Sequence, residues 1–453
     1  MTSTRRAAEP DALGGEWELA TAAPVETAAT GASSIWRRVR RDAVLLGGGS
    51  VAIVAAQLGF RSILVVLLVP ADYGRLSLIL SLYNTVFLIG ASGLPNSVAR
   101  YISISSPAED AGIVRSAIRA GAWPTAVAAT VIAITSGVLL KTPVASLFAA
   151  IGLSSMVYSL VTAGILRGRS KVGAAASIQP IAAIGEVAPL AILWLSGVAV
   201  TPLLAFGVFC AGNVLGLVAG ITCTARTRPH AKPEDSVAAV PSVRELLGFS
   251  MWLGVATIGV AVMPLVMRFA AALDSYSVVA MVDIALVLLS VPQRIGTVIV
   301  QAVIPHATRA VGNNEESLTI SRREHLFMIV PFVAVAAIVA FTPIVHSLFS
   351  LLGRPGYAKG ADYLALALLA GPARILYGLV QGILVAHGEG RFLARVSLMI
   401  TVISSAAIFA AAGLGSTLVA FEFFVVACWA VYLKTLERAH HLDAPGAAAL
   451  PAG

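Results

Sequence analysis

The stretch LDSYSVVAMVDIALVLLSVPQRIGTVIVQAVIPH, Leu273–His306, decides how the chain is read. Its core, 276–304, is apolar over a length that exceeds the roughly 20 residues a helix needs to cross a bilayer. Yet it carries Asp283, Ser290, Arg294, Thr297 and Gln301. At 100° per residue these five fall within about 40° of one line, so a hydrophilic track runs along one face of an otherwise lipophilic helix. An ionisable group in hydrocarbon costs about 2.5–3.5 kcal/mol on insertion scales, so the stripe must face a cavity or polar partners on neighbouring helices.

The rest of the chain repeats the apolar pattern. Of 453 residues, 58% are hydrophobic and 12% charged, and mean hydropathy is +0.88. That composition excludes a water-soluble enzyme, a disordered chain and a collagen. Apolar runs bounded by Pro, Gly or charge predict twelve spans: 43–69, 75–98, 120–140, 143–166, 172–196, 202–224, 248–270, 276–304, 325–350, 362–386, 392–412 and 416–433. Asp42, Thr142 before Pro143 and Thr201 before Pro202 are expected helix caps. The fold class is therefore all-α, a polytopic membrane protein.

Residues 1–42 read as a disordered tail with a basic juxtamembrane end, and 435–453 as a second tail. The Pro-rich, charged segment 226–247 divides the spans into lobes 43–225 and 248–434. Six crossings per lobe make both enter from the same side, a parallel pseudo-repeat. YSLVTAGILRGRSK from Tyr158 and YGLVQGILVAHGEGR from Tyr377 are similar stretches at equivalent places. Most of the 31 Lys and Arg fall in one set of alternate connections, around Arg37–Arg41, Arg100–Arg119, Arg167–Lys171, Arg226–Arg244, Arg309–Arg323, Arg391–Arg395 and Lys434–Arg438. The other set holds only Arg75, Lys141, Arg354 and Lys359, so both termini are expected in the cytoplasm. The net charge of +8 thus reports topology rather than nucleic-acid binding.

Four arginines lie inside spans: Arg61, Arg268, Arg294 and Arg374. Ser50, Gln57 and Arg61 share a line on the first helix, and Gln381 shares a face with Arg374. Arg61 either lines a pathway or snorkels, Arg268 near a helix end is expected to snorkel, and Arg374 suits either a pathway or a structural partner. Asn84 is open to both readings. Glu186, on a face with Gln179, and Glu422 are candidates for ion coupling or for pairing with an arginine, as is Asp283. Gly212, Gly216 and Gly220 form a ridge for close helix packing. Pro180, Pro189, Pro264, Pro292, Pro331, Pro343 and Pro372 are expected to bend or break their helices.

Cys210, Cys223 and Cys428 lack metal or disulfide spacing, and the seven histidines lack a ligand pattern. Gly47-Gly48-Gly49-Ser50 lacks the ending of a phosphate-binding loop. No cofactor, metal or catalytic residue is expected. A membrane-embedded glycan polymerase or ligase would need a larger extracytoplasmic loop than 351–361.

The segment Leu68–Ser103 resembles the first hairpin of polysaccharide flippases of the multidrug/oligosaccharidyl-lipid/polysaccharide exporter superfamily. The resemblance rests on Pro70, Tyr73 and Gly74, then Gly93, Leu94, Pro95, Arg100 and Tyr101, with Leu273–His306 and the turn at His387 in the second half. It covers about 43–434. It implies a multi-pass transporter of the cell membrane in which helices 1, 2, 7 and 8 surround a cavity that opens alternately to each side. The cargo would be a polyprenyl-pyrophosphate oligosaccharide carried to the outer leaflet for surface polysaccharide export, with a polysaccharide polymerase and glycosyltransferases as candidate partners. Arg61 and Arg294 then suit an anionic head group, because the guanidinium fork holds oxyanions and stays charged; Gln57, Ser290, Thr297, Gln301, Asn84 and Arg374 are further candidate substrate contacts. Two rivals remain open. A peptidoglycan-precursor flippase would be expected to have two more helices, and a cation-coupled multidrug exporter an acid in helix 1, where this chain has Arg61; Asp283 on helix 8 keeps that rival open.

Overall fold

The computed structural model describes residues 31–91, 93–104, 109–227, 242–312, 322–341, 347, 351, 357 and 360–443. The chain divides into two compact units, 1–42 and 43–453. The described residues are helical, with no strand among them. They form α1 (Gly31–Leu67), α2 (Pro70–Ala91), α3 (Leu94–Ile104), α4 (Asp110–Leu140), α5 (Pro143–Gly168), α6 (Val172–Leu195) and α7 (Pro202–Arg226). The second lobe holds α8 (Val243–Ala272), α9 (Tyr276–Gly312), α10 (Arg322–Phe341), α11 (Gly360–Ala386), α12 (Gly390–Gly413) and α13 (Thr417–Asp443). Among the described residues, eleven helices are long and apolar enough to cross a membrane, and Ile329–Ala340 of α10 is a shorter apolar helix. The rest of the span expected at 325–350, including Pro343, lies largely outside the described residues, as do the first tail to residue 30, the linker from 228 to 241 and the end of the second tail.

Three local expectations need correction. Asp42 does not cap α1, which begins at Gly31; the polar, basic residues before the apolar run are still good helix formers. The span expected at 75–98 ends at Ala91, because Gly93 takes φ 70° and Pro95 has no N–H to continue the ladder. A separate short helix, α3, follows and buries Leu94, Val98 and Ile102 against Ile113, Ala117 and Ile165. Of the expected bend or break at the intramembrane prolines 180, 189, 264, 292, 331 and 372, the break does not occur: their helices run on through each of them.

The expected caps at α5 and α7 form. The Thr142 hydroxyl accepts from the Val144 N–H at 3.4 Å and that of Thr201 from the Leu204 N–H at 3.2 Å, each ahead of a first-turn proline. Buried hydroxyls mostly donate back to their own helix, as Thr85 does to the Ser81 carbonyl and Thr435 to that of Val431, which satisfies them without water.

The same packing recurs in both lobes. In the first, α5 packs on α4 and α7, and α6 on α7; in the second, α11 packs on α10 and α13, and α12 on α13. Glycines set the closest approaches. Gly212 and Gly216 press against Glu186 and Ala182 of α6, and Gly220 against Thr162 of α5. A Cβ on Gly378 of α11 would lie 2.6 Å from the Gly296 carbonyl oxygen of α9. An apolar core forms around Tyr83 and Phe206 in the first lobe and another around Phe421 and Phe424 in the second. The lobes meet chiefly where α2 packs on α8 and α9. There Gly74 has no room for a side chain: a Cβ would overlap the Tyr276 carbonyl.

Candidate functional site

The contact between the lobes is polar at its centre. Asp283, two turns into α9, is 0% exposed, and four side chains converge on its surroundings. Arg61 of α1 places Nη1 3.0 Å from Oδ2. Arg268 of α8 donates from Nε at 2.8 Å and approaches from Nη2 at 2.6 Å, both on Oδ1. The Tyr73 hydroxyl of α2 donates to Oδ2 at 2.5 Å. Arg268 Nη1 also donates to the Ser81 hydroxyl of α2 and to the Pro264 carbonyl, each at 3.1 Å. Tyr73 packs edge-on against Tyr357 at 6.1 Å, and the Tyr357 hydroxyl reaches the Leu68 carbonyl. Arg61, Tyr73 and Ser81 belong to the first lobe and Arg268 and Asp283 to the second, so the network is a bolt across the interface.

Two guanidiniums share one carboxylate, which leaves the cluster with one excess positive charge. Burying ions is costly unless every partner is in place, and removing one partner of such a pair costs about 3–5 kcal/mol. The excess charge is most accessible at Arg61, whose side chain keeps 14% of its surface, against 8% for Arg268. The cluster can therefore do two things: hold the lobes together, and offer a cationic edge to an anion.

The structure joins some of the expected site residues and separates others. Arg61 and Asp283, assigned separately to substrate binding and ion coupling, are in contact. Asp283 is thereby the shared counter-ion of two arginines, with Oδ2 held by Arg61 and Tyr73 and Oδ1 by Arg268. Arg268 does not snorkel; it is buried and doubly bonded to Asp283, because a carboxylate across the α8–α9 hairpin outcompetes the membrane surface. Arg294, half-buried, lies three turns beyond Asp283 on α9, about 16 Å along the axis. It makes no ion pair among the described residues. Ser290 and Thr297 on the same stripe donate to the Val287 and Gln293 carbonyls. Gln57 is half-buried and Asn84 exposed, while the Gln301 side chain lies outside the described residues. Glu186 is buried on α6, within electrostatic reach of Arg61 but not bonded to it. Glu422 is exposed, facing away from the core of its lobe. Arg374 joins none of these: it is enclosed inside the second lobe, over the Phe424 ring.

The sequence reading missed Tyr73 as a site residue, using it only as part of a turn motif, and passed over Ser81. The signal for Arg268 was present: Arg268 and Asp283 flank the Leu273–Ser275 turn at distances that bring them side by side in an antiparallel helical hairpin.

A family model described as polysaccharide biosynthesis protein matches residues 39–311. A search of curated proteins finds no match. Among solved structures, the lipid II flippase MurJ in an inward closed conformation is similar at TM-score 0.64 and 12% identity, over 88% of this chain and 87% of that one. An inward-facing multidrug resistance MATE family transporter is similar at TM-score 0.62 and 15% identity, over 88% and 98%. A transporter of the MOP superfamily from Pyrococcus furiosus, described as having a binding pocket of reverse polarity, is similar at TM-score 0.55 and 14% identity, over 90% and 96%. The fold is the one these structures share, two lobes of helices in the MATE-like arrangement.

Proposed function

The chain belongs to the polysaccharide biosynthesis protein family, and from that premise we propose that it flips a polyprenyl-pyrophosphate oligosaccharide from the cytoplasmic to the outer leaflet of the cell membrane. The observation that carries the proposal is the net positive bolt of Arg61, Arg268 and Asp283 between the lobes. The asymmetry of basic residues supports placing both termini in the cytoplasm, which sets the α1–α2 and α8–α9 turns outside. Arg61 precedes Pro70 by nine residues, so the bolt lies about 13 Å inward of the outer turns.

Two cationic stations then lie along α9. Arg294 is nearer the cytoplasm and Arg61, on Asp283, nearer the outside. A pyrophosphate is too short to touch both at a 16 Å spacing, so the head group visits them in turn. An anion arriving at Arg61 competes with Asp283 for its guanidinium; weakening that pair loosens the bolt, and the lobes part on the outer side. Substrate and gate are coupled because they use the same cation. Gln57, Ser290, Thr297, Gln301 and Asn84 offer hydrogen bonds to the sugar along the route, and the lipid tail stays in the bilayer. Polymerase and glycosyltransferases acting on the same lipid-linked glycan are the partners this role calls for.

The test is surface glycan display in cells that depend on this chain. Arg61→Ala and Arg294→Ala should each abolish display at unchanged protein abundance; normal display in both would remove the flippase reading. Display that persists while small-molecule efflux is lost would assign the chain to drug export instead.

A further inference from the structure

We infer that Glu186 is a second berth for Arg61: when the lobes part, the Arg61 guanidinium passes from Asp283 of the second lobe to Glu186 of its own. The inference rests on the lobes parting, as the proposed function requires, and on no property of the cargo. Glu186 is 9% exposed and makes no hydrogen bond or ion pair among the described residues. A carboxyl so placed is costly to ionise without a partner. Its partner is therefore sought among the groups around it.

Those surroundings offer one cation. On α7, Gly212 presses against the Glu186 side chain: a Cβ there would lie 2.5 Å from the Glu186 Cγ. The Cys210 thiol of the same helix and the Tyr83 hydroxyl of α2 interact with Glu186 electrostatically, and neither carries positive charge. The next residue on α6, Val187, packs against α1 at Gly59, 3.9 Å from the position a Cβ would take. Arg61 follows two residues further along α1. It is the charged group among the described residues whose field reaches Glu186.

Charge accounting gives this arrangement its consequence. In the closed structure Arg61 and Arg268 share Asp283, and Glu186 stands apart. Arg268 and Asp283 belong to one helical hairpin, so parting the lobes leaves that pair whole. It severs the contacts of Arg61 and Tyr73 with Asp283 and of Arg268 with Ser81. Arg61 would then be a bare cation, because a guanidinium cannot discard its charge as a lysine can. Glu186 lies on the same lobe as Arg61 and moves with it. The three-ion bolt and the separate acid thus become two neutral pairs, Arg61 with Glu186 and Arg268 with Asp283. Glu186 is a positioning residue: it acts through Arg61, by deciding where that guanidinium rests once the bolt is undone.

The experiment is a triple-mutant cycle on the purified full chain in detergent, read as the midpoint of thermal unfolding. Glu186→Gln alone should not lower the midpoint, since Arg61 rests on Asp283. Asp283→Asn should lower it moderately while Glu186 is present. Combined with Glu186→Gln it should lower it by several degrees more than the two single changes together. That excess should vanish in the Arg61→Gln background, and Glu186→Asp, which keeps the charge, should not produce it. Additive midpoints, or an excess that persists without Arg61 and so reports direct repulsion between the two acids, would overturn the proposal. If the double variant does not fold, the structure of Asp283→Asn alone decides: Arg61 should then lie within about 4 Å of the Glu186 carboxylate. An Arg61 still beside residue 283, or turned to neither side chain, counts equally against the berth. Surface glycan enters neither measurement, so failure of the berth and failure of the flippase reading are told apart.

Discussion

Replacing Asp283 by Asn tests the bolt most directly, because it removes one charge while keeping the shape and an acceptor for Tyr73. In the native arrangement Arg61 holds Oδ2 at 3.0 Å and Arg268 holds Oδ1 at 2.6 Å, which puts the two guanidinium charges roughly 5–6 Å apart. With the carboxylate gone, their repulsion at an effective dielectric of about 20 is about 3 kcal/mol. Loss of a buried partner costs about 3–5 kcal/mol in measured cases, which agrees. About 3 kcal/mol set against lobe closure changes the open-to-closed ratio on the order of 100-fold. The readout is a cysteine at Ser77, fully buried on α2 between Tyr73 and Ser81. A membrane-impermeant maleimide should label Ser77→Cys poorly in the otherwise native chain and readily when Asp283→Asn is added. The double change Asp283→Asn with Arg268→Gln restores the native net charge and should recover much of the protection. Identical labelling of Ser77→Cys with and without Asp283→Asn, at equal thermal stability, would refute the claim that this carboxylate holds the lobes together.

Other outcomes follow from the same geometry. Arg61→Lys should fall well short of native surface glycan, since an ammonium gives no planar fork to share between Asp283 and an oxyanion; full display would argue for simple charge. Gly74→Ala forces a Cβ onto the Tyr276 carbonyl and should cost about 1–3 kcal/mol, read as a lower unfolding midpoint, whereas Gly48→Ala, in open space, should not. Glu186→Gln should leave abundance unchanged and make glycan export indifferent to collapse of the ion gradient; export that keeps its gradient dependence would remove Glu186 from coupling. Arg169 reaches Asp110, the Thr224 carbonyl and Thr227 at once, so Arg169→Ala should destabilise the first lobe by about 3–5 kcal/mol, measured as a fall in the thermal midpoint.

How much of this could be read in advance depends on the range of the interaction. Span positions, the capping hydroxyls of Thr142 and Thr201 and the stripe on α9 were legible because hydropathy, first-turn chemistry and helical phase are set within about twenty residues. The break at Gly93-Leu94-Pro95 was equally local, and the apolar run simply hid it. The division into two similar halves was visible in the twin stretches at Tyr158 and Tyr377, which lie at the ends of α5 and α11.

What an ionised side chain does inside the membrane could not be read this way. Helical phase tells which way Arg61 points on its own helix, but its partner is 222 positions away on another lobe, and the cost of burying a charge is settled by whatever lies within about 4 Å of it. Residue type and position alone left Asp283 open between a coupling ion and an arginine partner, and made Arg268 a surface cation. Their mutual approach across a hairpin, with Arg61 arriving from the other lobe, turned both into parts of one closed network. Arg374 shows the converse: the sequence offered it to the cargo, and the packing of α8, α11 and α13 encloses it within the second lobe. Local chemistry chose the helices and their faces; tertiary packing chose which charges neutralise one another, because electrostatic partnership in a low dielectric depends on distance in space rather than along the chain.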